Sequence, residues 1–130
     1  MTMPSTIEQV AKVEKFLMRL KKSLKIDDER FYKLLVAVTE AVNNGIIHGN
    51  KRDPAKLVIL KCNLADGILT VSIHDEGPGF AHDHLPDPLA EENLMRDHGR
   101  GVFLIRSLMD SVSFSKDDSG SEVIMTMGLG

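Results

Sequence analysis

Apolar positions recur at helical spacing through the first part of the chain. Val10, Val13, Leu17, Leu20 and Leu24 form one stripe, which predicts a helix from Ser5 to about Lys25. Lys12, Lys15, Arg19 and Lys22 repeat the spacing on the opposite side. Such a basic stripe is either a solvated helix face or a docking surface for an acidic partner. A second helix is predicted from an N-cap at Asp27 to His48, with Gly49-Asn50 as its stop. Phe31, Leu34, Leu35, Val38 and Val42 make its apolar stripe, and Pro54 bars any continuation.

The period then changes from helical to alternating. Leu57–Leu64 and Ile68–Asp75 read as strands joined through Asp66-Gly67, a signal for a tight antiparallel hairpin. In the second run Leu69, Val71 and Ile73 alternate with Thr70, Ser72 and His74, so one face is buried and the other more polar. Beyond Phe80 the pattern lapses: Ala81–His98 holds two prolines and five acidic residues without a period. Unstructured connections of more than about 12–15 residues in a compact domain usually act as lids or binding loops, or are disordered. Gly101–Met109 is predicted as a third helix. Val112–Ser115 and Glu122–Met127 are predicted to close the chain as a second hairpin around Asp117–Gly120. Helices and hairpins in this order predict a two-layer α/β sandwich with a mostly antiparallel sheet and about three helices.

Composition narrows the class. The 130 residues suit a single domain, residues 1–130, and the 42% apolar and 27% charged content argues against disorder. No apolar run approaches the roughly 18 residues of a membrane helix, and Met1–Lys12 lacks the layout of a signal peptide. Sixteen basic against nineteen acidic residues give a net charge of -3, unlike a protein that binds nucleic acid directly. One cysteine, Cys62, excludes an internal disulfide and fits a reducing cytoplasm.

Three places depart from a purely structural pattern. Glu40, Asn44 and His48 follow at i, i+4 and i+8 on the side of the second helix away from its Phe31/Leu34/Val38 stripe. A carboxylate in such apolar surroundings has its pKa pushed upward, as a general base needs, and an asparagine oxygen is a hard ligand suited to Mg²⁺. Asp75-Glu76-Gly77-Pro78-Gly79-Phe80 ends a strand with a turn that lets a ligand approach the backbone, and its aspartate can accept from an exocyclic amine. Gly99-Arg100-Gly101 precedes a predicted helix, where free N–H groups and the helix dipole favour an anion. Each has a bland alternative: an exposed glutamate and a packing asparagine, an ordinary β-turn, a glycine bend into a helix.

In this order the three motifs resemble the nucleotide-binding set of the GHKL, or histidine-kinase-like (Bergerat), ATPase superfamily. Within it the chain is most similar to the bacterial anti-sigma factor serine-protein kinases. Glu40-Ala-Val-Asn-Asn-Gly-Ile-Ile-His-Gly49, Asp75–Phe80, Gly99-Arg-Gly-Val-Phe-Leu-Ile-Arg106, Leu108–Val112 and Gly120-Ser-Glu-Val123 carry the resemblance, from about Thr6 onward. It implies an ATP- and Mg²⁺-dependent protein serine kinase in which Glu40 is the base. Asp75 would hold the adenine amino group, with Gly77 and Gly79 shaping the adenine pocket, and Asn44 would coordinate Mg²⁺. Gly99, Arg100 and Gly101 would form the phosphate-side loop, with residues 81–98 as the ATP lid and either Arg96 or Arg100 at the γ-phosphate. Ser121 stands where the family commonly has a threonine beside the adenine.

The same resemblance implies an anti-sigma antagonist of the STAS type as phosphoacceptor, a sequestered sigma factor and a homodimer, with no membrane and no direct nucleic-acid contact. An alternative is a nucleotide-binding switch module with little or no kinase activity. A further alternative is metal binding through His82, His84 and His98, poorly pre-organised by so long a loop. Met1–Pro4 leaves room for only a stub of the strand that commonly opens the family's fold.

Overall fold

The computed structural model describes residues 1–50, 53, 55–76 and 97–129; for 48, 49 and 97–102 the backbone alone is described. The elements are β1 (Thr2–Pro4), α1 (Gln9–Leu24), α2 (Asp28–Asn44), a π-helical turn (Gly45–Gly49), β2 (Leu57–Ala65) and β3 (Ile68–Asp75). They are followed by α3 (Asp97–Leu108), β4 (Ser111–Asp117) and β5 (Gly120–Gly128). The strands form one antiparallel sheet in the order β1-β2-β3-β5-β4.

Alternation along the strands decides where the helices lie. Leu69, Val71 and Ile73 of β3 are buried with Val123, Met125 and Met127 of β5, while Thr70, Ser72 and His74 are half-buried. The apolar face takes up Phe31, Leu34, Val38 and Val42 of α2, together with Val13 and Leu17 of α1 and Ile105 of α3. The result is the expected two-layer α/β sandwich, with α2 packed on both α1 and α3.

Local chemistry sets the element ends. Asp27 caps α2, its carboxylate accepting from the Arg30 N–H at 2.8 Å. That backbone bond, with the Arg30 side chain, holds the Asp27 carboxyl below its usual range. Asp66 (φ 54°) and Gly67 (φ 75°) both occupy the left-handed region, as a two-residue turn between twisted strands requires.

Three boundaries differ from the sequence expectation. Helix α1 starts at Gln9 rather than Ser5, because the buried Ser5 hydroxyl donates to the Lys56 carbonyl at 2.6 Å instead of capping a helix. The regular part of α2 ends at Asn44, and the stretch to Gly49 widens into a π turn whose last bond runs from the Asn50 N–H to the Gly45 carbonyl at 2.8 Å. Helix α3 starts at Asp97, four residues before Gly101, so Gly99, Arg100 and Gly101 lie in its opening turns rather than in a preceding loop. The N-terminal stub does extend the sheet: Thr2, Met3 and Pro4 pair with Ile59, Val58 and Leu57. Gly77, Gly79 and residues 81–96 of the expected lid, with His82 and His84, lie outside the described residues.

Leu34 is wholly buried where α2 meets the sheet. Leu34→Ala should therefore cost about 2–5 kcal/mol, read by urea unfolding at neutral pH. The cap gives a second expectation. A carboxylate whose folded pKa is lowered adds stability that is complete above the ordinary carboxylate range and is lost as the pH falls through the lowered value. Asp27→Ala should lower Tm near neutrality, and the difference from the parent should vanish in strong acid.

Candidate active site

The site is built where β3, β5 and the end of α2 meet. Asp75 is the last residue of β3 and stands opposite Ser121 in the β3–β5 register. The buried Ser121 hydroxyl donates to Asp75 Oδ1 at 3.0 Å. The interaction occupies one of the roughly four lone-pair sites that a carboxylate offers.

Glycines bring two other backbones against this aspartate. Gly120 has φ +136°, and a Cβ built there would lie 1.9 Å from the Asp75 carbonyl oxygen. No side chain fits that approach. A Cβ at Gly45 would lie 3.5 Å from both Asp75 Cβ and Oδ2, in contact with the carboxylate. Gly45 begins the π turn, a distortion that often marks functional positions, and it directly follows Asn44. The end of α2 thus lies beside Asp75, with half-buried Asn44 at that end and half-buried Glu40 one turn earlier on the same side.

The β4–β5 turn that carries Gly120-Ser121 is itself braced. Asp117 Oδ1 accepts from the Ser119 N–H at 2.8 Å and its hydroxyl at 2.6 Å, and His74 Nε2 lies 3.3 Å from that hydroxyl. The Ser119 hydroxyl bond is the main reason the Asp117 carboxyl titrates below its usual range. On the other side, Asn50 is buried and its Oδ1 accepts from the Glu76 N–H at 2.8 Å, which fixes the chain just past Asp75.

The structure thus brings Asp75, Ser121 and the end of α2 into one recess. The opening backbone turns of α3, with Gly99, Arg100 and Gly101, belong to a helix packed on α2. Sequence reasoning missed Gly45 and Asn50 as parts of the site, and placed Gly120 beside the adenine only through the resemblance, with no reading of its close approach to Asp75. Gly45 and Gly120 read as residues of a helix and a turn, and Asn50 as a helix stop. Two of Asn50's partners, Ser5 and Glu76, stand far away along the chain, so no local spacing reports them. Among the described residues, no group of three or more His, Cys, Asp or Glu side chains is placed to hold a metal ion; His82, His84 and the side chain of His98, which carry the histidine-cluster alternative, lie outside them.

The profile of the histidine kinase-like ATPase domain matches residues 3–127. The chain belongs to that family. It is 32% identical over 101 residues to an anti-sigma F factor of Clostridium perfringens, covering 75% of this chain and 71% of the relative. It is 35% identical over 97 residues to a protein of Staphylococcus epidermidis named serine-protein kinase RsbW, covering 69% of this chain and 60% of the relative. Among solved structures, the RsbU and RsbW domains of a Mycobacterium tuberculosis protein superpose with a TM-score of 0.71 at 20% identity, over 99% of this chain and 31% of that one. This last likeness shows the fold. The donor set suits the family's nucleotide: a fixed carboxylate between glycine-flanked backbones fits a flat base bearing an amino group, and the Asn44 carboxamide is a hard oxygen donor suited to Mg²⁺.

Gly120 is the residue the recess tolerates least. Gly120→Ala forces both a strained φ and a backbone collision, and the strain alone costs on the order of 1–3 kcal/mol. The variant should melt at lower temperature and lose nucleotide affinity together, measured by calorimetry. Ser121→Ala should retain the fold and lose part of the affinity.

Proposed function

We propose that this protein is an ATP-dependent serine-protein kinase that also acts as an anti-sigma factor, phosphorylating an antagonist of the STAS type and holding a sigma factor. The observation that carries this reading is the recess at Asp75. Ser121, Gly45 and Gly120 converge there, next to the helix that bears Glu40 and Asn44, in a chain of the ATPase family. The serine-kinase name of one relative and the anti-sigma name of another support phosphoryl transfer over the binding-only alternative.

In this reading Asp75 takes the adenine amino group, Ser121 holds its carboxylate, and Gly77 and Gly79 line the base. Asn44 binds Mg²⁺, which when present supplies neutralisation of the phosphate charge. Gly99 and Arg100 contribute the first turn of α3 on the phosphate side, where the N–H groups of a helix lack helical partners, and Gly101 follows directly. Residues 81–98 serve as the lid, and residues 1–130 act as one domain. Glu40 orients the acceptor serine hydroxyl and takes its proton as the oxygen–phosphorus bond forms and the bond to the β-phosphate oxygen breaks, releasing ADP. Phosphoryl transfer asks mainly for positioning and charge neutralisation, so one half-buried carboxylate suffices as base. No described helix is long and apolar enough to cross a membrane. The exposed face of α1 with Lys12, Lys15, Arg19 and Lys22 is the surface offered to an acidic partner.

Glu40→Gln is the decisive variant. Incubated with Mg²⁺-ATP and a candidate antagonist, the parent should produce phosphoserine detectable by mass spectrometry. The variant should transfer at least about 100-fold more slowly, the low end of general-base contributions, while its ATP affinity stays within about threefold. Undiminished phosphoserine in the variant would remove Glu40 from the role of base.

A further inference from the structure

Asn50 reads in the sequence only as a helix stop, yet it is among the most buried polar residues described, at 1% exposure. Its side-chain amide joins three segments. Nδ2 donates to Ser5 Oγ at 2.7 Å and to the Leu57 carbonyl at 3.0 Å, and Oδ1 accepts from the Glu76 N–H at 2.8 Å. Ser5 in turn donates to the Lys56 carbonyl at 2.6 Å, so its hydroxyl has to accept from Asn50. That relay fixes the orientation of the amide: both hydrogens are committed and only the oxygen can face Glu76. The Glu76 carboxylate also accepts from the Leu57 N–H, so the chain past β3 is tied to the start of β2 twice.

The consequence falls on Asp75. The N–H that Asn50 holds belongs to the Asp75–Glu76 peptide, and the carbonyl of that same peptide is the atom against which Gly120 packs. The peptide is clamped from both sides, by Asn50 on its N–H and by the Gly120 backbone on its oxygen. Its plane sets the direction in which Asp75 leaves the strand. Ser121 then needs only to fix the carboxylate rotamer.

We propose that Asn50 is a positioning residue for base recognition: it holds the Asp75–Glu76 peptide so that the Asp75 carboxylate meets the amino group of the purine. The inference rests on the assignment of Asp75 to the adenine amino group. A residue acting through Asp75 is felt by the base and hardly by the phosphates, and this separates positioning from general support of the fold.

The test compares two nucleotides, ATP and purine riboside triphosphate, which lacks only the 6-amino group, by titration calorimetry with Mg²⁺. The parent should bind ATP about tenfold or more tightly than the analogue, the loss expected when a buried polar group is left unpaired. In Asn50→Ala, affinity for ATP should fall several-fold while affinity for the analogue changes less than twofold, so the ratio of the two collapses toward one. Ser5→Ala, which removes one of the three partners of the amide, should move the ratio the same way by a smaller factor and keeps the test available if Asn50→Ala does not fold. An unchanged ratio in folded variants, or an equal weakening of both nucleotides, overturns the positioning role. A parent that does not distinguish the two nucleotides overturns the assignment of Asp75 itself, before any variant is considered.

Discussion

The pairing of Asp75 with Ser121 across β3 and β5 is the constraint on which the site depends. Side chains alternate along a strand, so a slip of one residue would turn Ser121 to the opposite face and carry Val123, Met125 and Met127 out of the core. The apolar face thus specifies the register, and the register delivers the hydroxyl to the carboxylate at 3.0 Å. Burial of β5 and construction of the recess are the same event. The helix layer obeys a parallel logic: the stripe that buries Leu34, Val38 and Val42 leaves Glu40 and Asn44 half-buried on another side of α2.

The end of α2 shows how a fold converts packing into geometry. An unbroken α-helix to His48 would keep its regular spacing, whereas the π turn that follows Gly45 admits an extra residue before Asn50, and Gly45 itself, still bonded to the Ala41 carbonyl, lies against Asp75. Asn50 closes that turn with its backbone and spends its side chain on Ser5, Leu57 and Glu76. One residue therefore ends a helix, secures the first strand's exit and sets the chain beyond β3. None of these bonds is strong alone, at about 1 kcal/mol net each. Together they leave the buried amide fully satisfied, and no described buried side-chain polar atom lacks a partner.

Much of the architecture was legible in the sequence because its signals are local. The Phe31–Val42 stripe, the Asp27 cap, the Asp66-Gly67 turn and the alternation of β3 each declare themselves within a few residues, and all four are present. The boundaries that escaped were set by distant partners. Ser5 looks like a helix start but is captured by Lys56, and Asn50 looks like a stop but bridges three segments. The motif residues of the site could be read for the same reason in reverse, since a family resemblance stores long-range geometry that spacing alone does not. Asp75 and the Gly120-Ser121 pair were named from the sequence; the approach of Gly45 and Gly120 to Asp75 was not, because a close approach leaves no trace except the glycine itself.

The separation between the halves of the recess has a consequence for the growing chain. The β2–β3 hairpin is complete once Asp75 has been made, but Gly120 and Ser121 follow 46 residues later at the serine. Chains are made at about 5–20 residues per second, so for some seconds a nascent molecule holds its aspartate without the strand that completes the recess. The Asp75–Ser121 pair can form only after β5 has left the ribosome and entered the sheet. A truncated product that lacks β5 would hold Asp75 without the Ser121 hydroxyl that pairs with it.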